Sequence, residues 1–336
     1  VYKRQGFNPT IEGLSVSTLP ELPVGIRFDR LRTLSLRNQQ VTAIAGDFLR
    51  RFPNLEVLNL SGSRISRLEG LEHLPQLRSL NLGGNLLDTV TGLENLGQLV
   101  ELDLSGCRLE ALPAGIERLT NLTSLDLAFN QLSELPEQLG ALPALENLQL
   151  SGNLLTGLPR TIGNLARLNI LNLGGNRLSV VPENLNGLAR LTQLYLHDNT
   201  IVLDAVSESR LEWFSRLEVL NLEGNPLVSA PLLRYNVHLR YLSLRATGLR
   251  AFPLQLMQGH PDLSVDLRGN RITALDEDAL RWVEANPHTV NLEDNHLSEQ
   301  VMARVRDALA RLQLQWVREE EEGEVTAIRK PPSRRG

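Results

Sequence analysis

Side chains able to do chemistry are few and scattered. The six histidines (His73, His197, His238, His260, His288 and His296) share no metal-ligand spacing with one another or with Cys107, and no H-E-x-x-H run occurs. Cys107, the single cysteine, would need a neighbouring histidine to serve as a nucleophile. Alone it supports neither a disulfide framework nor a multi-cysteine metal site. Asp103, Asp126 and Asp266 each sit between two apolar residues. A carboxylate pair of this kind could move protons, but a water-facing strand position accounts for each of them more simply. Gly83-Gly84 and Gly174-Gly175 lead into Asn rather than into the Lys and Ser/Thr of a phosphate loop. Neither catalysis, nor a cofactor, nor a metal is expected.

Composition explains the sparseness. Of 336 residues, 72 are Leu and only 14 are aromatic. Ordinary cores mix Ile, Val, Phe and Leu, so one residue type supplying most of the apolar mass points to a small repeated unit with one kind of slot. The net charge of −5 lacks the basic excess of a nucleic-acid binder. No run of 18 apolar residues occurs, so no membrane span is expected.

The repeated unit is L-x-x-L-x-L-x-x-N-x-L. It reads LRSLNLGGNLL from Leu77, LTSLDLAFNQL from Leu122, LENLQLSGNLL from Leu145, LNILNLGGNRL from Leu168, LTQLYLHDNTI from Leu191 and LEVLNLEGNPL from Leu217. Weaker copies begin at Leu31, Leu55, Leu99, Leu239, Asp262 and Pro287, making twelve at a mean period of about 23 residues. A degenerate half-copy spans Ile11 to Leu19. In L-x-L both Leu side chains point to one face of a strand. Stacking copies about 4.8 Å apart makes a parallel sheet over a continuous Leu core. The Asn slot falls where the chain leaves the strand and buried backbone groups need partners. Asn85, Asn130, Asn153, Asn176, Asn199, Asn225, Asn270 and Asn295 fill it, with Gln39, Ser63, Cys107 and Thr247 elsewhere. Cys107 is therefore read as a buried donor in this ladder.

These motifs resemble the leucine-rich-repeat family across roughly residues 10–300. The resemblance implies an α/β solenoid, a horseshoe with a concave parallel sheet, convex turns and short helices. Its function would be protein binding. The family's extracellular members carry Cys-rich caps that this chain lacks, so the sequon Asn121-Leu122-Thr123 carries little weight and a disulfide-bonded extracellular protein is not expected. Pro-containing convex halves occur at Leu112-Pro113, Leu135-Pro136, Leu158-Pro159 and Val181-Pro182. Two earlier halves, at Leu68-Glu69-Gly70-Leu71 and Val90-Thr91-Gly92-Leu93, look like the subclass found in phosphatase-regulating repeat proteins. A longer spacing across Ile201 to Arg216 predicts a longer helix or loop on the convex side, and another holds a helical pattern from Asp276 to Asn286. Ser298 is a good N-cap, and Val301, Val305, Ala308 and Leu312, with Met302 and Leu309 beside them, predict an amphipathic helix capping the last repeat.

Outward strand positions are mostly Ser, Gly, Asn and Asp up to Gly175, Phe129 and Ile170 excepted. They then enlarge and acquire charge. Tyr195, His197, Glu223, Tyr241, Arg245 and Arg268 are the expected contact residues for a protein partner, because Tyr and Arg are enriched in interface hot spots. Asn221 is expected to lie between Tyr195 and Tyr241 and leave a pocket there. Lys is almost missing: Lys3 and Lys330 lie at the two ends, and the other 32 basic residues are Arg. Lys is the ubiquitin acceptor. A protein working beside a ubiquitin ligase gains by lacking it, and the Arg-, Leu- and Ala-rich style, the Asp276–Asn286 insertion and the helix after Leu297 resemble the repeat region of bacterial secreted effectors of the novel (NEL-type) ubiquitin-ligase family. That resemblance implies a catalytic domain beyond Gly336. The expected chain is a monomer, cytoplasmic or delivered into a host cell within a larger effector.

Because the chain opens on Val1, it reads as a processed product or a piece of a longer gene. The expected division is an N-terminal segment with the half-repeat (1–30), twelve repeats (31–297), a capping helix (298–317) and a disordered charged tail (318–336).

Overall fold

Three residues per copy, two in the last, are extended, and they all pair the same way. The computed structural model describes residues 13–15, 25–38 and 41–321. Within them, thirteen parallel strands form one sheet in chain order, from Gly13–Ser15, Thr33–Ser35 and Val57–Asn59 through to Ser264–Asp266 and Val290–Asn291. Every repeat copy contributes one strand, and the half-copy contributes the first. Register is constant: Leu34 pairs with Leu58, Leu58 with Leu80, and so on to Leu242 and Val265. These central residues are all almost wholly buried, as are the Leu two positions later in each copy. A fully buried Leu contributes on the order of 2 kcal/mol, so each copy is held mainly by its contacts with the next. Gln39, most of the half-copy and the tail from residue 322 lie outside the described residues.

The opposite side changes character along the chain. The first copies build a second parallel sheet of three short strands, Ala43–Ile44, Arg67–Leu68 and Thr89–Val90. Its bonds run from Glu69 N–H to Ile44 O (3.1 Å) and from Thr91 N–H to Leu68 O (3.3 Å). The next donor in that series would be residue 113, a proline without an N–H, and the sheet stops there. Afterwards the convex side is made of 3-10 turns, Glu137–Ala141, Arg160–Asn164 and Glu183–Gly187, each entered from a proline (Pro136, Pro159, Pro182). These turns pack backbone on backbone: a Cβ on Gly187 would lie 2.2 Å from Gly163 O, so no larger residue fits.

Among the described residues, five α-helices interrupt this pattern: α1 (Gly46–Leu49), α2 (Ala205–Leu211), α3 (Leu254–Gly259), α4 (Glu277–Ala285) and α5 (Glu299–Glu321). The longer spacings house α2 and α4, each opened by an Asp whose Oδ1 accepts an N–H three residues on: Asp204 from Ser207 (2.7 Å) and Asp276 from Ala279 (2.8 Å). α5 begins where Ser298 Oγ accepts from Val301 N–H (3.3 Å) and packs along α4. Ala308 is buried, and Met302 and Val305 rest on the Leu core, whereas Leu309 is exposed. Arg304 grips Glu284 of α4 through two bonds of 2.7 and 3.0 Å. The helix runs to Glu321, four residues past the expected end at 317. Glu319 to Glu321 are thus helical, which fits the good helix propensity of Glu and the absence of a breaker before Gly323.

Candidate functional site: the concave face

Beneath the sheet the ladder side chains hydrogen-bond each copy to the one before it, except at Thr247, whose Oγ1 donates to Leu244 O of its own copy. Asn176 is typical. Its Nδ2 donates to Leu150 O (2.9 Å) and Leu173 O (3.0 Å), and its Oδ1 accepts from Leu155 N–H (3.0 Å). Asn153, Asn199, Asn225 and Asn295 repeat this pattern. Where the preceding slot is not Asn, the next Asn takes a second donor. Asn85 accepts from Ser63 and Ile65, Asn130 from Cys107 and Leu109, and Asn270 from Thr247 and Leu249. Cys107 Sγ donates to Leu82 O at 3.1 Å. Burial pushes its thiol up to about 11. At pH 8 the thiolate is then about one part in a thousand. We therefore expect the folded chain to resist a thiol-reactive disulfide reagent for hours and to react at once in denaturant. Stoichiometric modification of the folded form within minutes would show that Cys107 is reachable.

The middle outward position is also structural. Asn59, Asn81, Asp103, Asp126, Asn172, Asn221, Asp266 and Asn291 each accept, through Oδ1, the N–H two residues later, at 2.9–3.0 Å. This closes the exit turn of each strand. The carboxylates read from sequence as water-facing are thus turn caps. Burial, aided by Asp103, raises the pKa of Asp126.

Register sorts the outward side chains into three rows. The first runs Ile170, Gln193, Val219, Tyr241, Ser264 and the second Asn172, Tyr195, Asn221, Ser243, Asp266. A third follows just past the strands, where successive exit turns bond to one another: His197, Glu223, Arg245, Arg268. Tyr195 and Tyr241 therefore occupy different rows, and Asn221 does not lie between them. Tyr195 falls between the two Leu of its motif, whereas Tyr241 precedes the first; both positions face the concave side with a row separation of about 7 Å.

All six expected contact residues lie on this face, most of them held by neighbours. Tyr195 is half-buried, and its hydroxyl donates to Gln193 Oε1 at 2.9 Å. His197 Nδ1 lies 3.0 Å from Asp198 Oδ2. Its ring covers Gly174, where a Cβ would come within 2.1 Å of Nε2. Arg245 pairs with Glu223 at 3.5 Å. Arg268 forks onto Asp266, Nε to Oδ1 at 3.0 Å and Nη2 to Oδ2 at 2.6 Å. Burial opposes ionisation of Asp266, but the hydrogen bonds and charge of Arg268 outweigh it and hold the carboxyl below its ordinary value. Burial, and secondarily Asp266, pushes the hydroxyl of Tyr241 up. The fork leaves Nη1 of Arg268 for another acceptor.

Phe129 is not among the expected contact residues. It occupies the left-handed turn slot (φ 56°) that most copies fill with Gly, yet it is 71% exposed. Its ring lies over Gly152, where a Cβ would sit 2.6 Å from Cδ1. Non-Gly residues there are costly, and such strain marks candidate binding positions. The readable signal was a Phe in the Gly slot just before a ladder Asn. Among the described residues, no group of three or more His, Cys, Asp or Glu could hold a metal ion, and no helix is long and apolar enough to cross a membrane.

Fold and repeat sequence together make the chain a leucine-rich-repeat solenoid. A leucine-rich-repeat family model matches residues 29–87, 97–155 and 145–201. No curated protein matches the sequence. Among solved structures, a leucine-rich-repeat protein of Leptospira interrogans superposes with a TM-score of 0.72 at 24% identity, covering 89% of this chain and 87% of that one. An internalin from Listeria monocytogenes gives 0.70 at 19% identity, covering 83% and 79%. A structure of the leucine-rich repeats of FLRT2 in an octameric complex with Latrophilin 3 and Unc5D gives 0.60 at 21% identity, covering 88% of each chain.

Proposed function

We propose that this chain is a non-catalytic, monomeric module of a bacterial protein that binds a protein partner on the C-terminal half of its concave face. The carrying observation is the change of rows there. Beside turn caps that continue at Asn221, Asp266 and Asn291, the rows here carry Tyr195 and Tyr241, the Glu223–Arg245 pair, and an Arg268 already fixed by Asp266. Side chains ordered before binding lose less entropy on complex formation. The bacterial solenoids among its structural neighbours support the bacterial assignment, and the FLRT2 assembly is a precedent for partner binding by such repeats. Once a partner is captured by pull-down, Tyr195→Ala, Tyr241→Ala and Arg268→Ala should each weaken it at least about tenfold, about 1.4 kcal/mol. Ser79→Ala and Ser151→Ala, on the plainer part of the sheet, should leave affinity unchanged. The reverse pattern, or a partner mapping to the convex turns, refutes this placement.

The absence of Lys between Arg4 and Arg329 favours one narrower reading, the substrate-recognition region of a secreted ubiquitin ligase. A catalytic domain in the gene beyond Gly336 would support it.

A further inference from the structure

The flank of the solenoid, where each copy leaves its ladder residue, carries two side chains per repeat, one and three positions after the ladder slot. At the repeat of Cys107 these are Arg108 and Glu110. With Asp88 of the preceding copy they border a concavity of ≈ 480 Å³, and the charges are mixed. The equivalent positions near the C-terminal end are different. Arg250, Arg271, Thr273 and His296 line a concavity of ≈ 260 Å³, and no carboxylate is among them.

The backbone sets this arrangement. Arg271 N–H bonds to Leu249 O (2.8 Å) and His296 N–H to Ile272 O (3.0 Å), so Arg271 and His296 spring from equivalent points of consecutive turns. Those turns are about 4.8 Å apart. Arg250 and Thr273 form the parallel pair two residues further on. The position before Arg271 in its row is Gly248, where an added Cβ would meet nothing within 4 Å, so space opens beside the guanidinium. Two Arg on adjacent turns repel each other, and among the described residues neither has an ion-pair partner. A shared anion would relieve that repulsion.

We propose that this corner binds a phosphate group. Arg250 and Arg271 would supply planar N–H forks that match phosphate oxygens, Thr273 a hydroxyl donor, and His296 a ring N–H. The volume holds one phosphate with a few waters, each about 30 Å³. The site is separate from the concave face and does not depend on what binds there.

The test uses the whole chain at low ionic strength, titrated with inorganic phosphate and, in parallel, with O-phosphoserine. The His296 ring signals are followed by NMR. Saturable shifts are expected, with an affinity on the order of 1 mM for exposed charge-assisted pairs. R250A and R271A should each weaken binding at least about fivefold, whereas R245A, on the concave face, should not. Tighter binding of O-phosphoserine identifies a phosphorylated side chain as the ligand; equal binding identifies the free anion. Shifts that fail to saturate, or that persist unchanged in both R250A and R271A, overturn the site.

Discussion

Asn130→Leu should lower the urea midpoint further than Asn176→Leu, and Arg177→Ala should leave it in place. The difference follows from what each amide serves. Losing Asn176 strands one buried donor, Leu155 N–H. Its two carbonyl acceptors keep the amides of Asn153 and Asn199. Losing Asn130 strands two donors, Cys107 N–H and Leu109 N–H, and removes the side-chain donor at Leu104 O. Leu127 O keeps Asn153 Nδ2, and Ala128 O, the third acceptor of Asn130, keeps Gly106 N–H. An unsatisfied buried group costs about 1–3 kcal/mol, so one stranded group against three gives losses of about 1–3 and about 3–9 kcal/mol. Arg177 is exposed, and its truncation should stay within about 0.5 kcal/mol. Equal midpoints for all three variants would remove the ladder as a source of stability. Equal midpoints for the two Asn variants would show that the N–H of Cys107 is satisfied in another way.

The ladder was legible in the sequence because one requirement recurs at one spacing. Each copy must bury two Leu and pair the same turn groups, so Cys107 and Thr247 announce their roles by position alone. The concave face was legible only as a list of residues. Which row each belongs to depends on register to a single residue, and Tyr195 and Tyr241 differ by two positions in otherwise similar motifs. The fork of Arg268 onto Asp266 was hidden because Asp at that position had a sufficient explanation without it. The short second sheet escaped notice too, since residues 43–44, 67–68 and 89–90 are too brief to show a period. Its end at Pro113 makes sense only once the donor series is known. The basic corner joins residues 46 positions apart, Arg250 and His296, which only stacking brings together.

Ending the chain at Leu297 should produce larger oligomers or aggregates than the full chain shows by light scattering. It should also lower the melting temperature. A solenoid closes its core only where something other than another repeat covers the last one. Here that cover is α5, whose Met302, Val305 and Ala308 face the core and whose Arg304 clasps Glu284 on α4. Partly buried side chains of this size contribute about 1 kcal/mol or more each, so the loss is on the order of 3 kcal/mol before any effect of exposed surface. Removal also leaves the last strand, Val290–Asn291, at the end of the thirteen-stranded sheet beside newly uncovered apolar groups. An edge in that setting is a template for pairing with another chain. Met302→Asp with Val305→Asp in the full chain separates the two contributions. It keeps the helix and its length but removes the apolar contact, so it should lower the melting temperature about as much as truncation while aggregating less. A truncated chain that stays monomeric with an unchanged melting temperature would mean that the last repeat closes itself, through α4 and Leu292, and that α5 is present for another purpose.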